Sequence, residues 1–280
     1  MATSSANTPK VPEATREPIP TSRLSKRVVN PIRKIVDEIK FPEGGDVEVI
    51  PLTLGDPTVF GNYRAPAPMI EQLHRNINSF SHNGYVHSAG SRPARQAIAK
   101  RYSPEKFPVT ENDVIIASGC SGALEIVISG LFNPGDNILL PKPGFSLYET
   151  LAVAREIKCK YYNLLPESNW EADLEMMEAQ IDEKTRAILV NNPSNPCGSV
   201  YTEEHLRQIL EVAERNGLPI IADQVYGDMT FGKHKFFPLE QLSENVPIIA
   251  TAGLAKEYVV PGWRVGWIVV HDRGHRVLGV

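Results

Sequence analysis

The sequence has few cysteines and no long apolar run. Its 280 residues include three cysteines, Cys120, Cys159 and Cys197, which are far apart and form no C-x-x-C pair. This pattern argues against a disulfide framework and against a zinc site, and it fits a reducing compartment. No apolar stretch approaches the length that crosses a bilayer, and the N-terminus lacks the basic start and apolar core of a secretory signal. We therefore expect no membrane partner.

The sequence also lacks an excess of basic residues. A net charge of -4 argues against a nucleic-acid partner, because proteins that bind nucleic acids usually present a basic face. Any phosphate must then be held by a few local groups. The cytoplasm is the expected location. The mitochondrion is the alternative, and the acidic Glu13 and Glu17 argue against a transit peptide.

The first part of the chain divides into a tail, two helices and a loop. Residues 1–27 are rich in Ser, Thr, Pro and Ala, so we expect a disordered tail. Asn30 followed by Pro31 predicts a helix start, and apolar residues then recur at helical spacing. Residues 41–61 are dense in Pro and Gly and predict a loop with a strand, and residues 68–80 predict another helix.

From Asp113 onward, short β-rich runs alternate with helical segments. This alternation predicts an α/β fold with a largely parallel sheet of about seven strands and helices on both faces. Ligands bind such sheets at the carboxyl ends of the strands. The predicted strands are 114–118, 137–141, 160–164, 187–191, 219–222, 248–251 and 265–270, and the predicted helices include 123–131, 146–154, 173–181 and 203–216.

Small residues follow the first predicted strand. Residues 118–125, SGCSGALE, open directly into a helix, and the free N–H groups of a helix start can hold a phosphate. The alternative is that these glycines serve only a tight turn. The spacing matches neither the P-loop nor the G-x-G-x-x-G pattern, which weighs against nucleoside triphosphates and dinucleotides.

Further polar and aromatic residues follow the next strands. Phe145 could stack on a flat ring, although a lone aromatic is more often part of the core. Residues 191–198, NNPSNPCG, contain two Asn-Pro steps that fix a rigid loop and hold the Asn195 amide in place. Asp223 follows an apolar strand, where a carboxylate needs a cation or a donor; the alternative is a turn cap.

A lysine and an arginine complete the pattern. Lys256 follows the sixth predicted strand, and a desolvated amine near other cations becomes a nucleophile toward aldehydes. The guanidinium of Arg264 suits a phosphate. A phosphate cradle, a stacking ring, a carboxylate for a ring nitrogen, an amide, a lysine and an arginine together describe a pocket for pyridoxal 5'-phosphate.

These motifs carry a family resemblance. Residues 143–148, 191–200, 253–256 and 260–264 are similar to those of the class I/II aminotransferases of the pyridoxal-phosphate fold type I group, especially its tyrosine-specific branch. The resemblance runs from about residue 28 to 273. It implies that residues 28–75 form the N-terminal part of a small domain and a dimer-contacting arm, and that residues 76–280 form the cofactor-binding large domain. It also implies a homodimer when the chain is full length.

The resemblance implies a role for each matching residue. Lys256 would attach the cofactor and move the proton at the substrate α-carbon, and Asp223 would pair with the ring nitrogen. Asn195 and Tyr226 would hydrogen-bond the ring's phenolic oxygen, Asn195 lying also beside the substrate, and Phe145 would stack on the ring.

The phosphate and the substrate carboxylate have their own matching positions. Gly119, Cys120, Ser121 and Arg264 would hold the phosphate, and Tyr85 would reach the phosphate of the neighbouring subunit. Gly55 matches a loop position near the substrate carboxylate. Gly253 and Ala255 stand where relatives often place phosphate-binding or hydroxyl residues, which leaves the cradle more dependent on Ser121 and Arg264.

The expected reaction is transfer of the amino group of tyrosine, and of other aromatic amino acids, to 2-oxoglutarate, giving 4-hydroxyphenylpyruvate and glutamate. The family continues beyond Val280 through a substrate-binding arginine, so we expect a fragment with an incomplete small domain. A related lyase and a catalytically inactive chain are the alternatives. His271 and His275 are spaced so that they could bind a metal together. The favoured interpretation is that they belong to a solvated terminus, and no metal site is expected.

Overall fold

A computed structural model describes residues 19–40, 49–50, 55–58, 61, 63–274 and 277. The helices are α1 (Arg23–Arg27), α2 (Pro31–Val36), α3 (Ala67–Ser79), α4 (Arg92–Tyr102), α5 (Gly119–Leu131), α6 (Leu147–Ala154), α7 (Leu174–Ala179), α8 (Glu203–Arg215) and α9 (Leu239–Leu242). The strands are β1 (Val114–Ser118), β2 (Asn137–Lys142), β3 (Lys158–Leu165), β4 (Glu171–Ala172), β5 (Thr185–Asn191), β6 (Ile220–Asp223), β7 (Ile248–Gly253) and β8 (Val265–His271).

All eight strands belong to one sheet in the order β1-β8-β7-β6-β5-β2-β3-β4. The neighbours from β7 to β3 pair in parallel, whereas β8 is antiparallel to both β1 and β7. The predicted α/β fold with a largely parallel sheet is thus confirmed. The number of strands is eight rather than seven, because β4 adds two residues antiparallel to the end of β3, too few for a sequence pattern.

Each central strand packs against helices on both of its faces. Successive side chains of a strand point to opposite faces, so Ile188 and Val190 of β5 join one core and Ala187 and Leu189 join the other. Burial on both faces explains why these strands are nearly continuous apolar runs. We call the cluster under α7, α8 and α9 the α8-side core and the cluster under α5 and α6 the α5-side core.

Helix α8 shows how sequence pattern becomes packing. The hydroxyl of Thr202 caps its start by accepting a hydrogen bond from the His205 backbone N–H at 3.2 Å. Residues at helical spacing, including Leu206, Ile209 and Ala213, are fully buried in the α8-side core. The opposite face of α8 is charged. None of the helices within the described residues is long and apolar enough to cross a membrane.

The predicted tail includes ordered residues. Disorder was expected through residue 27, but α1 lies within that range, so the prediction is wrong at residues 23–27. Ser22 caps α1 by accepting from the Ser25 N–H, and Arg27 pairs with Glu156 on the body of the protein at 2.7 Å. Residues 1–18, and most of the predicted loop at 41–61, lie outside the described residues.

Candidate active site

The carboxyl ends of β5, β6 and β7 and the start of α5 surround a cavity of about 190 Å³. This is the sheet edge at which ligands were expected. The structure brings eight of the predicted site residues to its walls: Cys120, Ser121, Phe145, Asn195, Asp223, Tyr226, Lys256 and Arg264.

Asp223 is a buried carboxylate at the end of β6, only 3% exposed. Its Oδ2 accepts a hydrogen bond from the Tyr148 hydroxyl at 2.7 Å, and its Oδ1 accepts from the Val225 N–H at 3.3 Å and the Cys120 thiol at 3.5 Å. Burial raises the pKa of Asp223, and these donors oppose the rise. Across the described residues Asp223 forms no ion pair, so the carboxylate is ready for a cationic ligand.

Tyr148 is a functional candidate that the sequence prediction missed. It lies on α6, is 1% exposed, and its ring contacts Phe145 edge-on at a centroid distance of 5.7 Å. Burial and the neighbouring Asp223 raise the pKa of Tyr148 well above its usual value, so its hydroxyl stays a donor. The feature of the sequence that could have identified Tyr148 is its position at a predicted helix start, three residues after Phe145.

The rigid loop after β5 is held by asparagine side chains. The Asn191 Nδ2 donates to the Asp223 carbonyl oxygen at 3.1 Å, and its Oδ1 accepts from the Asn195 N–H at 2.7 Å. The Asn192 Oδ1 accepts from the Tyr201 N–H at 2.9 Å. Asn191 therefore links the backbone of Asn195 to that of Asp223. Both peptide bonds to proline in this loop are cis.

The start of α5 lies next to the Arg264 guanidinium and is a candidate anion site. Ser118 provides no side-chain cap, so the first N–H groups of α5 remain available. Gly119 has φ +71°, which favours glycine, and a Cβ on it would lie 2.5 Å from the Arg264 Nη2, so a side chain here would displace the guanidinium. Arg264 Nη1 donates to the Pro261 carbonyl at 3.1 Å. A helix start beside a guanidinium favours a bound phosphate.

A second close approach fixes the loop that carries Lys256. Gly253 of β7 pairs with Gly266 of β8, and a Cβ on Gly266 would lie 2.2 Å from the Gly119 carbonyl carbon. The two strands can therefore pack against the start of α5 only without side chains at these positions. Residues 254–264 connect the strands and contain both Lys256 and Arg264.

Lys256 is half-buried next to Tyr226. Its Nζ lies 5.6 Å from the centroid of the Tyr226 ring, and burial raises the pKa of the Tyr226 hydroxyl. The neighbouring Glu257 ties this loop to the rest of the site, because its Oε1 accepts from the Asp228 N–H at 3.0 Å. Arg101 bridges the carboxylates of Glu257 and Asp228.

Gly119 adjoins the Arg264 guanidinium without lining the cavity, and two further predicted residues also lie outside the cavity wall. Gly55 is exposed and does not line the cavity. The pKa of its neighbour Asp56 is lowered mainly by hydrogen bonds from Thr58, with a smaller contribution from the charge of Lys256. Tyr85 is fully exposed. Within this single chain neither residue completes the site, and their assigned roles stay predictions.

The expectation of a solvated terminus around His271 is wrong. His271 is the last residue of β8 and is 4% exposed, because β8 lies between β1 and β7. Burial lowers the pKa of His271 to about 4, so the ring is neutral. His275 lies outside the described residues.

Comparisons with known proteins agree with this geometry. Residues 47–278 match the family model for aminotransferase class I and II. The chain is 50% identical over 252 residues to tyrosine aminotransferase from Mus musculus, covering 90% of this chain and 56% of that protein. It is 48% identical over 255 residues to tyrosine aminotransferase from Dictyostelium discoideum, covering 91% of this chain and 61% of that protein.

Solved structures give the same result for the fold. Tyrosine aminotransferase from Leishmania infantum superimposes with a TM-score of 0.88 at 31% identity, covering 95% of this chain and 67% of that chain. Alanine aminotransferase from Pyrococcus furiosus gives a TM-score of 0.83 at 30% identity, covering 93% of this chain and 66% of that chain. The chain spans little more than half the length of the mouse protein that it matches.

Proposed function

The chain belongs to the class I and II aminotransferases, and on this premise we propose that it binds pyridoxal 5'-phosphate and transfers the amino group of tyrosine to 2-oxoglutarate. The observation that carries this proposal is the buried Asp223 carboxylate. It has no ion-pair partner among the described residues, and it shares a cavity with Lys256 and an anion site. The names of the mouse and Dictyostelium relatives support tyrosine as the donor.

The residues of the cavity fit the chemistry of the cofactor. A phosphate suits the free N–H groups of α5, the Ser121 hydroxyl and Arg264, and the space that Gly119 leaves open favours this placement. A protonated ring nitrogen would supply the cation that Asp223 lacks. When bound, pyridoxal phosphate supplies a ring that accepts the negative charge developing at the substrate α-carbon.

The remaining side chains bind, orient and move a proton. Phe145 would stack on the cofactor ring, and Asn195 and Tyr226 would donate hydrogen bonds to its phenolic oxygen. The Lys256 amine would bind the cofactor covalently and, once released, would take the proton from the substrate α-carbon and return it during turnover. Asp223, as an anion, would hold the ring nitrogen protonated.

The wider organisation is part of the same proposal. We propose that residues 76–280 are the cofactor-binding domain, that residues 28–75 contribute to a small domain and a dimer arm, and that the full-length protein works as a cytoplasmic homodimer. The exposed Tyr85 would then reach the phosphate of a neighbouring subunit, and Gly55 would lie near the substrate carboxylate.

The direct test uses the purified chain with pyridoxal phosphate, tyrosine and 2-oxoglutarate. We expect 4-hydroxyphenylpyruvate to form, its formation to require the acceptor, and Lys256→Ala to abolish it. Lys158→Ala, which removes an exposed lysine of β3, is the matched control and keeps activity. Product formed without an acceptor would indicate a lyase. No product above the Lys256→Ala background would reject the proposal.

A covalent test is independent of turnover. Borohydride reduction of the cofactor-loaded chain, followed by peptide mass analysis, should leave a pyridoxyl group on Lys256. A labelled peptide that lacks Lys256, or no labelled peptide, would contradict the assignment of this lysine.

A further inference from the structure

The Asp223 carboxylate has one strong and two weak hydrogen-bond donors. The Tyr148 hydroxyl reaches Oδ2 at 2.7 Å, a normal O–H to carboxylate distance. The contacts to Oδ1 are longer, 3.3 Å from the Val225 N–H and 3.5 Å from the Cys120 thiol, which is a weak donor. The orientation of the carboxylate therefore depends mainly on Tyr148.

Tyr148 is itself fixed by packing. Its side chain is 1% exposed in the α5-side core and meets Phe145 edge-on. A buried tyrosine hydroxyl requires a partner, and within the described residues its hydrogen bond is to Asp223. The other titratable groups that act on Asp223 are Cys120, Tyr226 and Lys256. Of these, only the Cys120 thiol has a hydrogen bond to this carboxylate in the described part of the chain.

The other face of the sheet offers a natural comparison. Tyr162 is also fully buried, and its hydroxyl donates to the Leu189 carbonyl oxygen at 2.8 Å in the α8-side core. Removing either hydroxyl deletes one buried hydrogen bond of similar length. Of the two hydroxyls, only that of Tyr148 donates its hydrogen bond to a residue of the candidate site.

We propose that Tyr148 is a positioning residue that orients the Asp223 carboxylate toward the ring nitrogen of the cofactor. This inference rests on the proposed function, since it concerns how the same site holds pyridoxal phosphate. Tyr148 acts through Asp223, so removing its hydroxyl weakens the contact at the ring nitrogen and leaves the phosphate contacts unchanged.

The expected size follows from the loss of a hydrogen bond to a charged group. Without the Tyr148 hydroxyl, the charged form of Asp223 loses its best donor, and the carboxylate is free to rotate. Tyr148→Phe should therefore weaken pyridoxal phosphate binding by roughly ten- to a hundredfold.

The experiment compares two cofactors and two variants. The dissociation constants of pyridoxal phosphate and of its 1-deaza analogue, in which a C–H replaces the ring nitrogen, are measured for the wild-type chain, Tyr148→Phe and Tyr162→Phe. We expect Tyr148→Phe to weaken pyridoxal phosphate while leaving the deaza analogue within about threefold of wild type. Tyr162→Phe should leave both constants near wild type. Equal weakening of both cofactors by Tyr148→Phe, or no weakening, would overturn the inference.

A cofactor-free measurement separates the inference from the proposed function. The Asp223 carboxyl carbon, assigned by its loss in Asp223→Asn, is followed by NMR against pH in the chain without cofactor. We expect its titration to move to higher pH in Tyr148→Phe and to stay in place in Tyr162→Phe. A wild-type chain that binds no pyridoxal phosphate would reject the proposed function. An unmoved Asp223 titration in Tyr148→Phe would reject the role of Tyr148.

Discussion

The two faces of the sheet each bury a carboxyl group, and they treat it differently. Asp223 lies on the α5 side with three donors, whereas Glu240 of α9 lies on the α8 side and is 0% exposed. The Glu240 Oε2 accepts from the Gln224 Nε2 at 2.9 Å, and its Oε1 has no partner among the described residues. Because Gln224 directly follows Asp223, one of the two carboxyl groups and the donor to the other lie on adjacent residues.

The difference shows what a functional carboxylate requires. Burial raises the pKa of Glu240 to about 7, although its own backbone N–H and the Gln224 amide oppose the rise, so this acid holds its proton until the solution is nearly neutral. Asp223 is equally desolvated, but its donors favour the charged form and its cavity admits a cation. A cation bound in this cavity would favour the charged form of Asp223, whereas Glu240 lies outside the cavity.

The most severe test replaces each carboxyl group with an amide of the same shape. Asp223→Asn should lower kcat/KM for tyrosine transamination by roughly 10²- to 10⁴-fold, because breaking a buried ion pair costs about 3–5 kcal/mol. Glu240→Gln should stay within about twofold of wild type, since Glu240 lies outside the cavity. Steady-state kinetics of both folded variants checks this. A comparable loss in Glu240→Gln would erase the proposed distinction between the faces.

The second test uses pH. The folded-state pKa of Glu240 is about 7, above its ordinary 4.5, so its contribution to stability is fully present below pH 4.5 and is lost as the pH rises through 7. The loss amounts to ~3 kcal/mol. Urea unfolding between pH 5 and 8 should show this slope in wild type relative to Glu240→Gln.

The comparison with Glu240→Gln is needed because His271 acts in the opposite direction. Its pKa is lowered from 6.5 to about 4, so its contribution is present above pH 6.5 and is lost as the pH falls toward 4. The difference between wild type and variant cancels the histidine. Parallel pH profiles for the two proteins would contradict the assignment to Glu240.

A third test concerns the close packing on the α5 side. Gly266→Ala would place a Cβ 2.2 Å from the Gly119 carbonyl carbon and 2.4 Å from the Cys120 N, both backbone atoms that cannot move aside alone. We expect a loss of about 1–3 kcal/mol in unfolding free energy and weaker binding of the phosphate. Denaturant unfolding and cofactor titration measure the two effects. Full stability would mean that β8 does not press against α5.

The smallest expected effect lies at the other end of the same helix. Gly130 is in the last turn of α5, and a Cβ there would meet nothing within 4 Å. Gly130→Ala should therefore raise the unfolding free energy by about 0.5–1 kcal/mol through helix propensity. Thermal unfolding measures this change, and Gly266→Ala, measured in parallel, is the control. A destabilised Gly130→Ala would indicate that α5 is constrained along its whole length.

Local patterns were enough to predict the strands and most of the cavity wall. The apolar runs identified seven strands, five of which, β2, β5, β6, β7 and β8, are buried along most of their length. The residues at or just after the strand ends, such as Asp223 and Asn195, then had to lie at one edge. The two-residue β4 and the charged α4 gave no such pattern. Helix α1 was assigned to a tail because its stabilising contact, with Glu156, lies 129 residues away.

The long-range contacts could not be predicted from the chain alone. Nothing in the sequence links Tyr148 to Asp223, 75 residues later, or identifies Glu240 as the partner of Gln224. These pairs depend on how helices pack over the sheet. The close approach of Gly119, Gly253 and Gly266 likewise became visible only with the register of β7 and β8.

The antiparallel pairing of β7 with β8 has a consequence for how this site can vary. The candidate nucleophile and the candidate phosphate anchor lie on one eleven-residue connection, residues 254–264, whose two ends meet at Gly253 and Gly266. A shift of this hairpin by one residue would displace both groups together. Insertions and deletions here should therefore be tolerated only in compensating pairs.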